Sequence, residues 1–109
     1  MKSLRFSLTA ERRLDEIFEW SYSQFGMNKA LEYQQVLIET CERIASGVAH
    51  TQSCRTLVVD DTETDLRFAR AGRHFIVYEE HGDIIGIADL LHSSSDLGTL
   101  LNALGSWEN

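Results

Sequence analysis

The sequence contains no proline. Helices can therefore run without an interior break, and every turn must come from Gly, Asn, Asp or Ser chemistry. Cysteine is almost as scarce. Cys41 and Cys54 stand 13 residues apart with no CxxC spacing, which excludes a disulfide framework or zinc cluster and reads as two reduced thiols. No metal is expected. No apolar run approaches the roughly 20 residues that span a bilayer, so no membrane contact is expected. The opening MKSLRFSLTAERR becomes charged before an apolar signal region can form, which makes the cytoplasm the expected compartment. Lysine is confined to Lys2 and Lys29. Lys and Arg together number 10 against 17 acids, a formal net charge of −7, and neutralising phosphates needs cations. Direct nucleic-acid binding is not expected.

What the chain does hold is an ordinary globular balance, 43% hydrophobic and 25% charged, which argues against disorder. Its 109 residues suit a single domain spanning 1–109, because two cores would each be too small to stand alone. Charge is unevenly placed. Residues 55–78 carry four bases and four acids, with Asp60, Asp61, Glu63 and Asp65 preceding Arg67, Arg70 and Arg73. A local basic patch can thus sit on an acidic molecule.

Residues 3–8, SLRFSL, alternate apolar and polar side chains and read as a strand with one buried face. Thr9 is expected to cap a helix whose stripe is Ala10, Leu14, Ile17, Phe18, Ser21 and Phe25, ending at Gly26. Asn28 opens a second helix with the stripe Ala30, Tyr33, Leu37, Cys41 and Ile44, closed by Gly47. Helices this long with so short a turn must fold back as an antiparallel hairpin. Leu31 and Ile38 fall beside the main stripe, which either widens the core face or lines a partner groove.

VAHTQSC (48–54) reads as a loop. β chemistry follows in RTLVV (55–59), a polar turn (60–65), LRFARA (66–71), RHFIVYEE (73–80) and IIGIADLL (84–91), with Gly72 and Gly82 at the turns. Residues 93–104 can start a short helix from a Ser cap. The expected class is α+β in the order β-α-α-β-β-β, the helical hairpin packed on an antiparallel sheet.

Ala10, Leu14, Ile17, Phe18 and Trp20, then Phe25-Gly26, Ala30 and Tyr33, LRFARAGRHFIVYEE (66–80), and the ending from Ile85 to Asp96 stand in a specific order. In these motifs, spread from residue 3 to about 97, the chain resembles the ParE branch of the RelE/ParE toxin superfamily. The resemblance implies a toxin that poisons DNA gyrase by protein–protein contact and is neutralised by a cognate ParD-like antitoxin, whose flexible segment orders on binding. No cofactor is expected. From Glu79 onward this chain has six acids and no Lys or Arg, where many such toxins carry basic residues near the end.

Within that frame Trp20, which lies off the helical stripe, is the candidate aromatic anchor. Arg67, Arg70 and Arg73 either pair with the nearby aspartates or contact acidic antitoxin side chains, which the planar guanidinium fork suits. His74 is a structural or interfacial candidate. His92 either bonds loop backbone or works on protons. The alternative activity is that of RelE-like relatives, ribosome-dependent cleavage of mRNA, and here His92, Arg67 and Arg73 would supply proton transfer and charge. A third possibility is an inactive toxin-fold relic kept as an antitoxin partner. GxGxxG, P-loop, HExxH and GxSxG motifs are all missing from the sequence.

Overall fold

The computed structural model describes residues 1–49, 51–53 and 66–94. Strand β1 (Ser3–Phe6) leads directly into helix α1 (Leu8–Phe25), and helix α2 (Met27–Ala45) follows after one residue. The remaining elements are strands: β2 (Gln52–Ser53), β3 (Arg67–Ala71), β4 (His74–His81) and β5 (Ile84–His92). The expected α+β order of strand, two helices and then strands is present. Of the remaining expectations, the strand over 55–59, its following turn and nearly all of the helix over 93–104 lie outside the described residues.

The first strand is shorter than its alternation suggests, because Ser7 caps α1 in place of Thr9. The Ser7 hydroxyl oxygen accepts the Ala10 N–H at 3.0 Å and donates to the Ala88 carbonyl at 2.7 Å. One buried side chain thus satisfies a free helix donor and ties α1 to β5. Gly26 is the whole link between the helices. Its φ of 87° suits glycine, and its N–H donates to the Tyr22 carbonyl at 2.9 Å. At the other end of α2 the cap is Ser46, with Gly47 one residue beyond.

Among the described residues the five strands lie in the order β1-β5-β4-β3-β2. From β5 through β2 all pairs are antiparallel, but β1 pairs parallel with β5, Ser3 opposite Ile84 and Phe6 opposite Ile87. The sheet is therefore mixed, because the two-helix excursion returns the chain to the far edge and β1 then meets the last strand in the same direction. β2 falls within the segment expected as a loop, pairing Gln52 with Phe68 and Ser53 with Arg67.

α1 packs on β5 and α2 on β3. Ile17, Leu37, Cys41 and Ile44 of the helices meet Ala69, Ala71, Ile76, Ile85, Ile87 and Leu90 of the sheet in one core. Burial of such side chains stabilises by about 1.5–3 kcal/mol each for the larger aliphatics. The Cys41 thiol is buried there, and desolvation followed by Glu42 pushes its pKa up to about 12, so it behaves as a small hydrophobe.

The β4–β5 pair contains an irregularity that sets the site. Val77 pairs with Asp89 and Tyr78 with Ile87, leaving Ala88 as an extra residue on β5. Ile85 and Ile87 face the helices before this bulge, and Leu90 and His92 face them after it. Strict alternation from Ile85 would have turned His92 to the opposite face.

Candidate functional site

Between the helical hairpin and the open end of the sheet lies a groove of about 990 Å³. Helical spacing builds two of its walls: Arg13, Ile17 and Trp20 project from α1, and Lys29, Tyr33 and Val36 from α2. Phe25 stands at the hairpin tip, and the sheet supplies His74, Leu90 and His92. Trp20 and Phe25 remain 57% and 63% exposed, and their rings meet edge to face with centroids 5.8 Å apart. Large apolar side chains left open at the mouth of a concave surface are unusual in a solitary domain, which makes this groove the candidate contact surface.

At the far end of the groove the polar groups are tightly ordered. The register sets His74 opposite His92, and their rings pack edge to face with centroids 5.2 Å apart. Tyr33 reaches down from α2 to place its hydroxyl 2.6 Å from His74 Nδ1, while accepting the Arg73 N–H at 2.9 Å. Close approach is possible because residue 72 is glycine: a Cβ there would lie 2.7 Å from the Tyr33 ring, and its φ is 59°. His92 Nδ1 accepts the Ser94 N–H at 3.1 Å and sits 2.7 Å from the Ser94 hydroxyl.

Electrostatics follow from this burial. Desolvation, then the neighbouring His92 and Arg13, lowers the His74 pKa from 6.5 to about 4, so the imidazole is neutral at pH 7. Desolvation also raises the Tyr33 pKa, keeping the phenol protonated. Beside them Asp89 is only 5% exposed, and Arg13 Nε donates to its Oδ1 at 3.1 Å. That hydrogen bond is the main cause of the raised Arg13 pKa. Arg13 also donates to Glu16 at 3.2 Å, and Lys29 pairs with Glu32 at 3.5 Å, both on the exposed rim. Among the described residues no three His, Cys, Asp or Glu side chains gather as metal ligands would.

Of the residues singled out from sequence, Trp20, Arg73, His74 and His92 converge on this groove. The others lie elsewhere. Leu31 is 52% exposed on the hairpin but does not line the groove, and Ile38 is half-buried, also outside it. Arg67 donates from Nε and a terminal nitrogen to the Thr51 hydroxyl at 3.3 and 2.9 Å. Arg70 donates to the Gly72 carbonyl at 3.0 Å and lies 5.6 Å over the Phe75 ring. The trio His92, Arg67 and Arg73 is therefore not assembled in one place.

Among the groove residues that were not singled out are Tyr33, Phe25, Arg13 and Asp89. Tyr33 looks like one more stripe residue. Asp89 did carry a signal, being a lone acid inside the apolar run IIGIADLL.

The fold and its groove define a small α+β domain, a helical hairpin laid on a five-stranded sheet with an open apolar groove between them. The chain belongs to the family described as the ParE toxin of type II toxin–antitoxin systems (parDE), which matches residues 4–97. Proteins named Toxin ParE1 from two strains of Mycobacterium tuberculosis are 26% identical over 92 residues, covering 84% of this chain and 89% of theirs. A solved structure described as the chromosomal ParDE TA system from P. aeruginosa shares the fold, with a TM-score of 0.63 at 20% identity. It covers 84% of this chain and 96% of that one.

Proposed function

We propose that this chain is a cytoplasmic toxin that acts by gripping protein, with DNA gyrase as its target, and that a ParD-like antitoxin silences it by seating an amphipathic segment in the groove. The observation that carries this reading is the groove itself, with Trp20, Phe25 and Val36 open along it. An apolar stripe at i, i+3/i+4 and i+7 on a partner helix matches such a surface. The solved neighbour is described as a ParDE toxin–antitoxin system, which supports an antitoxin of the ParD kind. No helix among the described residues is long and apolar enough to cross a membrane.

The close histidine pair beside Arg73 favours one rival, a RelE-like endoribonuclease. The two separate in purified form. A gyrase poison inhibits supercoiling and leaves ribosome-bound mRNA intact, and His92→Ala leaves the inhibition unchanged. Cleavage of mRNA lost on His92→Ala would establish the rival. Expression of the chain alone, then with the antitoxin encoded beside it, tests growth arrest and rescue together.

A further inference from the structure

The polar end of the groove has a definite hydrogen-bonding sense. A backbone N–H can only donate, so His92 Nδ1, which receives that of Ser94 at 3.1 Å, is an acceptor and the ring proton sits on Nε2. The Tyr33 oxygen already accepts from the Arg73 N–H. Its own proton then goes to His74 Nδ1 at 2.6 Å in preference to the Ala71 carbonyl at 3.4 Å, which places the His74 proton on Nε2 as well. Each ring thus keeps an Nε2 N–H donor, the rings lie edge to face with centroids 5.2 Å apart, and Arg73 lines the same groove. Among the described residues, no protein acceptor meets either Nε2 and no carboxylate meets Arg73. The other cations of the groove are engaged, Arg13 by Asp89 and Glu16, and Lys29 by Glu32.

We infer that His74, His92 and Arg73 form a carboxylate anchor, which takes an Asp or Glu side chain carried at the end of the apolar stripe of the docked helix. Two imidazole donors and a guanidinium carried by residues of one groove suit a carboxylate, and bonds to a charged acceptor are the stronger kind. A phosphodiester backbone is disfavoured at the same place. It would have to run past Glu16, Glu32 and Asp89 on a chain of net charge −7. A single acidic side chain reaching beyond an apolar stripe brings one charge to the donors in place of a run of charges past the acids, and Asp89 is already engaged by Arg13. This inference rests on the groove being a helix-binding surface, and it specifies what that helix must carry.

The test uses the full chain and a synthetic 16-residue alanine-based peptide with a leucine stripe at helical spacing and one glutamate beyond each end of the stripe. A second peptide has glutamine at both positions. The glutamate peptide is expected to bind about tenfold more tightly by calorimetry, a difference of about 1.4 kcal/mol. Arg73→Gln and His74→Gln should each shrink that preference, whereas Trp20→Ala should weaken both peptides alike. Arg73 is exposed, so its substitution keeps the test valid should the His74 change impair folding. The chain's own negative charge works against the glutamate peptide, so a preference for it reports the local site. Equal binding of the two peptides would overturn the carboxylate anchor and leave the groove reading standing. Binding of neither would overturn both.

Discussion

Tyr33 couples helix to sheet through a single oxygen. It accepts the Arg73 N–H at 2.9 Å and meets His74 Nδ1 at 2.6 Å, so removing it strands two polar groups at once. Tyr33→Phe is expected to cost about 0.5–1.5 kcal/mol in urea denaturation, the net range for a lost hydrogen bond where one of the groups left over, the Arg73 N–H, can turn to water. His74 makes stability depend on acidity. Its folded pKa of about 4 lies below the ordinary 6.5, so between those values the unfolded chain binds the proton more readily. This contribution is complete above about pH 6.5 and is lost as pH falls toward 4. After solvent screening it amounts to on the order of 1 kcal/mol. Comparing the urea midpoint at pH 7.5 and 5 should therefore show a smaller fall for His74→Gln than for the unaltered chain. Identical slopes would contradict the burial of a neutral imidazole.

Among the elements, α1 depends on a cap that belongs equally to the sheet. Ser7→Ala removes the acceptor for the Ala10 N–H and leaves the Ala88 carbonyl without its hydroxyl donor. A loss of about 1–2 kcal/mol is expected, visible as a lowered thermal midpoint, whereas Thr9→Ala should change little. The local pattern points to Thr9 as the cap, although Ser7 carries the same hydroxyl two residues earlier. Only the position of β5 decides between them, since Ser7 alone reaches Ala88. The same distinction separates what was legible from what was not. Local periodicity displayed both helical stripes, the Gly26 break and the strands on either side of Gly72 and Gly82. It could not display the parallel meeting of β1 with β5, which is a property of partners far apart in the chain. Nor could it show the extra residue at Ala88, because IIGIADLLH is apolar on both sides of the bulge. As a result Trp20, Arg73, His74 and His92 could be nominated singly. Their convergence, and the roles of Tyr33 and Asp89, required the fold.

For the molecule as a whole, the groove and the remainder of the hairpin surface make different predictions. Trp20→Ala should weaken antitoxin binding at least tenfold by calorimetry, since exposed aromatic anchors dominate such interfaces. Leu31→Ala, equally exposed on the hairpin but outside the groove, should leave that affinity within about twofold, in keeping with the near-neutral effect of residues away from an anchor. Equal losses at the two sites would move the binding surface from the groove to the hairpin tip.

The parallel pairing of β1 also bears on how the molecule comes into being. Ser3–Phe6 can find Ile84–Ile87 only after the segment through residue 87 has left the ribosome. Until then the Ser7 hydroxyl has no Ala88 carbonyl to meet, and the first helix is held at one end only. Closing so long a loop is a late and slow event compared with zipping a neighbouring hairpin. A nascent or prematurely terminated product that lacks β5 therefore has no completed groove, so the binding surface cannot form before residues 84–92 are made.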